Sequence, residues 1–252
     1  MAKTGNIVTL IPSRKGSNRV PMKGMRLLGD KALIEHTIEA VKGSEFLSNT
    51  IFINSDAEEW KGLAAQHEIG FYLRKPELAT SQSMIDDYLF DFMESNPDVD
   101  YLAVITPTAP FVKSEDLDSA WKAYSEGSAN TLISAEPIQT HCFFKGSSLN
   151  FSTEGHLPRT QDLEPIHALN FSIAIYDCKF FKNFYKENGF AVLGGEINTF
   201  FLEGFAAIDI DEEKDFLLAE IALEYNAGKK SSAPRYSKFV NQIIEENQET
   251  RN

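Results

Sequence analysis

The sequence predicts an α/β protein with a mostly parallel sheet and helices on both of its faces. Short runs of apolar and β-branched residues alternate along the chain with stretches of helical period. Parallel strands need crossover connections, which are usually helices, so this alternation is typical of repeated βαβ units. Hydrophobic residues make up 42 % of the 252 residues, which is enough for a sizeable core.

Six segments are predicted to be strands because each is a short apolar run rich in β-branched or aromatic residues. They are Asn6–Pro12, Thr50–Asp56, Tyr101–Pro107, Thr131–Ala135, Phe171–Asp177 and Phe205–Asp211. Five longer segments between them have helical period. They are Leu33–Lys42, Glu58–Glu68, Met84–Ser95, Ser114–Glu126 and Glu212–Tyr225.

One region interrupts the alternation. From Glu136 to Leu169 the sequence has three prolines and no long helical period. A structureless stretch of that length is improbable inside a compact domain. We therefore expect an excursion with short strands that contacts substrate or a second subunit. The end of the chain, after Ala227, has loop composition and a predicted short helix at Phe239–Asn247.

Charge and cysteine content exclude several classes of partner. The formal net charge of -13 would repel a phosphate backbone, so we expect no nucleic-acid partner. Two cysteines without CxxC spacing predict neither a disulfide framework nor a zinc site. The first residues resemble neither a signal peptide nor a membrane span, so we expect a cytoplasmic protein without a membrane partner.

The loop after the first predicted strand, "IPSRKGSNRVPMKGMR" at Ile11–Arg26, is basic. The first 29 residues of this acidic chain contain six Lys or Arg and no Asp or Glu. Such loops hold phosphates through backbone N–H groups and cationic side chains, and parallel sheets bind ligands at this edge. The order of a P-loop, GxxxxGK[ST], is absent. A solvated loop that only balances the acidic body fits the same residues.

A pair of carboxylates occurs late in the chain, in "AIDIDEEKDF" at Ala207–Phe216. If Ile208–Asp211 is a strand, Asp209 and Asp211 lie on one face while Ile208 and Ile210 pack into the core. Two carboxylates at a strand end suit Mg²⁺, completed by water and phosphates. Alternatively, Asp211 caps the following helix. The basic loop and the acidic pair together predict a magnesium–nucleotide site.

Several segments resemble the cytidylyltransferases that activate acidic sugars, above all the CMP-sialic acid (N-acylneuraminate) synthetases and their relatives for other nonulosonic acids and Kdo. The resemblance runs from about Ile7 to Tyr225. It rests on the loop at Ile11–Arg26 with "LIEHTIEA", on "NSD" (54–56), "LRKPELAT" (73–80), "TPTAPF" (106–111), "LPRTQDL" (157–163) and "IDIDEEKDFLLAE" (208–220), in the family's order.

The resemblance implies a Rossmann-like fold with a small dimerisation excursion. Residues 1–229 would form a single nucleotidyltransferase domain, with the excursion at 136–170 and a C-terminal tail at 230–252. The implied partners are CTP and an acidic 2-keto sugar, in a homodimer. The aromatic side chains of Phe143, Phe144 and Phe151 are expected at the subunit interface, where aromatic residues are enriched.

The resemblance also implies site residues. Arg14, Lys23 and Asp211 would be catalytic, with Asp209 and Asp211 holding Mg²⁺. The implied residues of the CTP site are Arg14, Ser17, Asn18, Lys23, Arg74 and Thr106. Those near the sugar are Arg159, Gln161 and Asn170. The resemblance leaves open whether Arg159 and Asn170 serve their own site or that of the neighbouring subunit. The sugar's anomeric hydroxyl would attack the α-phosphate of CTP and displace pyrophosphate.

The chain departs from the family pattern at several positions, and three of them concern the site most directly. Gly24 stands where the family usually has Asn, Thr106 where it has Gln, and Phe171 where it has Gly after Asn170. These changes touch phosphate and sugar contacts. They leave open an acceptor such as Kdo, a modified octulosonate or a phosphonate, and also a non-catalytic nucleotide-binding protein. A glycosyltransferase would also use an Asp-x-Asp pair, but the basic first loop and the late acidic pair disfavour it.

Overall fold

The computed structural model describes residues 2–16, 20, 22–80, 82–228 and 237. In this part of the chain the strands are β1 Ile7–Pro12, β2 Leu27–Leu28, β3 Lys31–Ala32, β4 Ile51–Ser55, β5 Gly70–Leu73, β6 Tyr101–Ile105, β7 Thr131–Ile138, β8 Phe143–Phe144, β9 Ser147–Ser148, β10 Ile166–Asp177 and β11 Ile197–Phe201. The helices are α1 Leu33–Gly43, α2 Glu59–Gln66, α3 Ile85–Ser95, α4 Ser114–Glu126, α5 Cys178–Asn188 and α6 Glu213–Asn226.

Seven strands form one sheet in the order β11-β7-β10-β6-β1-β4-β5. Every neighbouring pair is parallel except those of β10, which runs antiparallel to both β6 and β7. The carboxyl ends of β1, β4, β5 and β6 therefore meet at one edge, together with the first half of β10. The mostly parallel sheet predicted from the sequence is confirmed.

Helices cover both faces of the sheet. Alternate apolar side chains of the central strands point to opposite faces and pack against the helices on each side. On β1, Ile11 packs with residues of α1, α2 and α4, whereas Leu10 packs with residues of α3 and α5. Successive side chains of a strand point to opposite faces, so a strand that is apolar throughout is buried on both sides. A third cluster anchors α6, with Phe216 and Ile210 packed against Leu28 and Leu33.

All five predicted helices are present, within two residues at each end. Five of the six predicted strands are also present. The elements that were missed are β5, α5, β11 and the two-residue strands β2 and β3.

The strand predicted at Phe205–Asp211 is wrong. Gly204–Ala207 is a 3-10 turn, and the chain then runs extended without strand pairing. The Ile210 N–H donates to the Thr108 carbonyl (2.8 Å), which attaches the segment to the loop after β6 but builds no ladder. The edge of the sheet is instead formed by β11, which pairs in parallel with β7.

The region from Glu136 to Leu169 contains short strands, as expected. The last residues of β7 pair with the first of β10, for example Ile138 with Ile166, and the small hairpin β8–β9 lies between them. The helix predicted at Phe239–Asn247 lies outside the described residues. Among the described helices, none has the length and apolar character needed to cross a bilayer.

Candidate functional site

A cavity of about 410 Å³ opens at the carboxyl edge of the sheet. The ends of β1 and β6 form its floor, because these neighbouring parallel strands both terminate there. Its lining residues are Pro12, Ser13, Arg14, Lys23, Gly24, Leu33, Thr106, Pro107, Thr108 and Asp211. The basic loop, "TPT" after β6 and one carboxylate of the acidic pair thus come together, although they lie far apart in sequence.

The structure divides the cations of the basic loop into two groups. Lys15 is turned toward α2: its backbone N–H donates to Asp56 Oδ1 (2.9 Å) and its ammonium pairs with Glu59 (2.5 Å). Arg26 is likewise occupied, paired with Glu213. Arg14 and Lys23 remain in the lining of the cavity. Ser17 and Asn18, which were predicted to contact CTP, lie outside the described residues.

Lys23 begins the 3-10 turn Lys23–Met25 and reaches across to the acidic pair. Its Nζ donates to the Ile210 carbonyl (2.5 Å) and lies 3.3 Å from Asp211 Oδ1. The lysine side chain is only 16 % exposed, whereas that of Asp211 is 44 % exposed. Two of the three groups predicted to be catalytic are therefore in direct contact.

Asp209 and Asp211 are close to the cavity even though the segment is not a strand. Ile210 between them is fully buried and fixes the segment against α6. Asp209 Oδ1 is buried and has no hydrogen-bond partner among the described residues. Burial raises the pKa of the Asp209 carboxyl, a hydrogen bond from Thr108 opposes that rise, and the Asp211 carboxylate adds to it.

The two carboxylates fit a hard divalent cation. A buried carboxylate oxygen without a partner and a second, half-exposed carboxylate offer the oxygen ligands that Mg²⁺ prefers. The described residues contain no group of three or more His, Cys, Asp or Glu that could hold a metal by themselves. This donor set suits Mg²⁺, which usually keeps several waters and takes further oxygens from phosphates.

The N-cap residue of α6 is Glu212, and the Asp215 side chain closes a capping box onto it. The N–H groups of Asp211 and Glu212 both donate to Asp215 Oδ2, at 3.0 and 2.8 Å. This hydrogen bonding turns the segment sharply into α6. The Asp211 carboxylate is left directed at Lys23 and the cavity.

A second cavity of about 360 Å³ adjoins the first and shares Pro12 and Arg14 with it. Arg74 dominates its lining and is almost completely buried. The guanidinium Nε donates to Asn54 Oδ1 (2.5 Å), and its plane lies 3.9 Å from the centre of the Tyr88 ring. Burial lowers the pKa of Arg74, but an arginine stays charged in a protein. A fixed planar cation suits recognition of a flat polar ring.

Thr106, predicted for the CTP site, and Asn170, predicted near the sugar, are linked through Ser172. Thr106 lines the first cavity. Asn170 lies next to it on β10: its Oδ1 accepts from Ser134 Oγ (2.5 Å) and from the Ser172 N–H (3.2 Å). The Ser172 carbonyl in turn accepts from the Thr106 N–H. Asn170 Nδ2 is buried without a partner among the described residues.

Arg159 and Gln161 are not brought to these cavities. They lie at the exposed turn Thr160–Asp162, where Arg159 forms a two-pronged ion pair with Asp162 (2.8 and 3.0 Å). The Gln161 carbonyl accepts from Gln139. Neither residue belongs to the lining of either cavity within the described part of the chain.

Two departures from the family pattern have a structural reason. A Cβ on Gly24 would lie 2.6 Å from Ser13 Oγ and 2.8 Å from Trp60 Cη2, so an Asn does not fit without displacing its neighbours. Phe171, where the family has Gly, has a φ of 55°, which is the left-handed region. The family's glycine is explained by that backbone, and this chain adopts it with a phenylalanine.

Asn54, Tyr88 and Ser13 were not among the site residues predicted from the sequence. Asn54 holds Arg74, Tyr88 stacks on it, and Ser13 is a buried member of the first cavity. For Asn54 a signal existed, because a buried polar residue directly before the end of an apolar strand is unusual. For Tyr88 there was none, since aromatic residues at helical spacing also describe an ordinary core helix.

A cavity at the carboxyl edge of the sheet, lined by two cations and a carboxylate, is typical of α/β proteins that bind phosphorylated ligands. A family model described as cytidylyltransferase matches residues 8–152, more than half of the chain. CMP-N,N'-diacetyllegionaminic acid synthase of Legionella pneumophila is 32 % identical over 237 residues, covering 87 % of this chain and 97 % of the relative. The chain belongs to the cytidylyltransferase family, which confirms the resemblance seen in the sequence.

A second relative is the N-acylneuraminate cytidylyltransferase of Streptococcus agalactiae serotype III. It is 26 % identical over 249 residues, which cover 94 % of this chain but only 58 % of the relative. The fold is also that of CMP:2-keto-3-deoxy-manno-octonic acid synthetase, solved with CTP (TM-score 0.65, 13 % identity, 88 % of this chain and 99 % of that one). A 4-diphosphocytidyl-2C-methyl-D-erythritol synthase from Anaerococcus prevotii is equally similar (TM-score 0.65, 13 % identity, 87 % and 99 %).

Proposed function

We propose that the chain is an enzyme that transfers CMP from CTP to the anomeric hydroxyl of an acidic 2-keto sugar, a sialic acid or related nonulosonic acid, and releases pyrophosphate. One observation carries the proposal: Arg14, Lys23 and Asp211 line one cavity, which adjoins the Arg74 pocket. The relatives from L. pneumophila and S. agalactiae support it through the acids in their names.

Different residues would bind different parts of the substrate. Arg74, fixed by Asn54 and Tyr88, would hold the cytosine end of the nucleotide in the second cavity. Arg14 borders both cavities and would bind the phosphates where the two meet. Lys23 would neutralise negative charge that builds up on the phosphoryl oxygens as pyrophosphate leaves. Such positioned cations supply most of the catalysis in phosphoryl and nucleotidyl transfer.

Asp209 and Asp211 would hold Mg²⁺, which supplies charge neutralisation at the phosphates when bound. The buried position of Asp209 keeps one carboxylate fixed, while Asp211 remains accessible from the cavity. Thr106 lines the first cavity and would contact the nucleotide, whereas Asn170, which is linked to it through Ser172, would contact the acceptor sugar.

The excursion would complete the site of a second copy in a homodimer. Phe143 and Phe144 are 58 % and 60 % exposed, and Leu157 beside the Arg159 turn is exposed as well. Apolar side chains clustered in this way favour a subunit interface. Arg159 and Gln161 are at the surface of their own protomer, which is consistent with a role in the partner's acceptor site.

The first experiment measures pyrophosphate release with CTP, Mg²⁺ and a panel of sialic, legionaminic and other nonulosonic acids, with Kdo as a further acceptor. ATP, GTP and UTP serve as nucleotide controls. Lys23→Ala should lower the rate at least a hundredfold, since one lost oxyanion contact costs about 3 to 4 kcal/mol in barrier. Lys15→Ala is the matched control, because that lysine pairs with Glu59, and its rate should stay within about threefold.

Turnover only with Kdo or an octulosonate would change the proposed class of acceptor but leave the proposed reaction unchanged. Tight CTP binding without turnover of any acceptor would replace the enzyme by a nucleotide-binding protein. The dimer has its own test: inactive Lys23→Ala and Arg159→Ala chains, mixed and refolded together, should regain activity at about a quarter of the sites if Arg159 serves the partner. Mixtures that stay inactive would place Arg159 in the site of its own protomer.

A further inference from the structure

The contact between Lys23 and the acidic pair is the feature that carries a further inference. Within the described part of the chain, the Lys23 ammonium donates to the Ile210 carbonyl (2.5 Å) and to Asp211 Oδ1 (3.3 Å), both in this segment. The lysine side chain is mostly buried, so the ammonium stays within reach of the pair. In this arrangement the charge of Asp211 is already compensated by a residue of the chain itself.

A divalent cation and the Lys23 ammonium would compete for the same carboxylate. A metal ligated by Asp209 and Asp211 would lie within a few ångströms of Nζ, and two positive charges at that separation in a poorly solvated site repel strongly. We propose that Lys23 closes the metal site in the absence of nucleotide, and that binding of a triphosphate draws the ammonium away and opens it. This inference rests on the proposed function, because the nucleotide is its second ligand.

The geometry provides the second position for the lysine. Lys23 and Arg14 line the same cavity, so phosphates held by Arg14 come within reach of the Lys23 side chain. A charge-assisted bond to phosphate oxygens then replaces the bonds to Ile210 and Asp211. Coupling between two ligands is reciprocal, so the nucleotide raises the affinity for the metal as much as the metal raises the affinity for the nucleotide.

The test is a titration of the purified full chain with Mn²⁺, followed by the loss of the free-ion signal in electron paramagnetic resonance. Lys23→Met keeps the apolar stem and removes the charge. Without nucleotide, this variant should bind Mn²⁺ at least fivefold more tightly than the wild type. Lys15→Met is the matched control, because it removes a cation of the same loop that faces Glu59, and its affinity should change less than twofold.

The second arm adds the α,β-methylene analogue of CTP, with correction for Mn²⁺ bound by the nucleotide alone. The wild type should then gain at least tenfold in affinity, and Lys23→Met should gain clearly less, because its site is already open. An affinity of Lys23→Met at or below that of the wild type without nucleotide would overturn the proposal. An equal gain in both proteins on adding the analogue would do so as well.

Lys23→Gln separates charge from hydrogen bonding and guards against a folding defect in the Met variant. Glutamine retains a donor for the Ile210 carbonyl but carries no charge, so it should bind Mn²⁺ as tightly as Lys23→Met. Wild-type affinity in the Gln variant would refute the charge argument. If no acceptor or CTP is turned over, the proposed function fails, yet the nucleotide-free comparison still decides the role of Lys23.

Discussion

Gly24 gives a sharp test of how the cavity is built. Gly24→Ala adds a single Cβ that would lie 2.6 Å from Ser13 Oγ and 2.8 Å from Trp60 Cη2. Trp60 is 2 % exposed and belongs to the core between the sheet and α2, so its ring has little room to retreat. Overpacking of a well-packed core costs about 1 to 3 kcal/mol. We expect Gly24→Ala to lower the free energy of unfolding by that amount.

Gly62→Ala is the matched control. Gly62 lies inside α2, the same helix as Trp60, and a Cβ there meets no atom within 4 Å. Alanine in a helix interior is favoured over glycine by about 1 kcal/mol, so this variant should be more stable than the wild type. The same chemical change is therefore expected to have opposite signs at two positions that flank one tryptophan.

The assay is urea unfolding, supported by thermal melts, in which 1 kcal/mol corresponds to about 2 to 4 °C for a chain of this size. The two alanine variants should differ by about 2 to 4 kcal/mol. Trp60→Phe in the Gly24→Ala background should recover part of the loss, because it removes the ring atoms that clash. Equal stability of Gly24→Ala and Gly62→Ala would refute the reasoning and reopen the position to the family's asparagine.

Three further outcomes are expected. Phe171→Gly should be more stable than Phe171→Ala by about 1 kcal/mol in thermal melts, the reverse of the usual order in strands, because φ is 55° there; alanine above glycine would contradict this. Asn54→Leu should weaken CTP binding in calorimetry and destabilise the fold by about 1 to 3 kcal/mol, since it removes the acceptor of Arg74 Nε, whereas Asn54→Asp should largely restore binding. Burial raises the pKa of Glu35, but the hydrogen bonds from Ala32 and His67 lower it more, so the pKa of this carboxyl is depressed in the folded protein. The contribution of Glu35 to stability is therefore present above the unfolded pKa of about 4.3 and is lost as the pH falls through the folded pKa. The difference in urea midpoint between wild type and Glu35→Gln should accordingly be constant from pH 6 to 5 and shrink toward pH 3, and a difference that persists at pH 3 would contradict the assignment.

The elements predicted correctly from the sequence are those buried on both sides. β1, β4 and β6 are continuous apolar runs because helices cover both faces, and that requirement is visible in the sequence itself. β11 was missed because it forms an edge of the sheet and is mostly exposed, so "INTFF" carries no comparable run. The opposite error occurred at Phe205–Asp211, where alternating apolar and polar residues suggested a strand. There Ile210 packs against α6 rather than into a sheet.

The location of the site was predictable, but its composition was not. A basic loop after the first strand and a late acidic pair were sufficient to place a nucleotide at the carboxyl edge. Composition could not separate the cations that face the cavity from those that pair elsewhere, since that depends on Glu59 and Glu213, which lie on helices distant in sequence. Arg74 was identified by the resemblance, whereas its hydrogen bond to Asn54 depends on the pairing of β4 with β5.

The residues that depart from the family pattern can be explained only together with the residues that they contact. In the sequence, Gly24 suggests that a phosphate contact has been lost. In the structure, Ser13 and Trp60 occupy the space that a side chain at this position would need. Phe171 adopts a backbone that suits glycine, and its ring joins the core below α3 and α5, so packing offsets the strain. Both changes therefore look like adjustments between contacting residues rather than decay of a site. Arg74 is buried and desolvated, and among the described residues the buried Oδ1 of Asp209 has no hydrogen-bond partner. Both features are costly for a fold that binds no ligand at these positions.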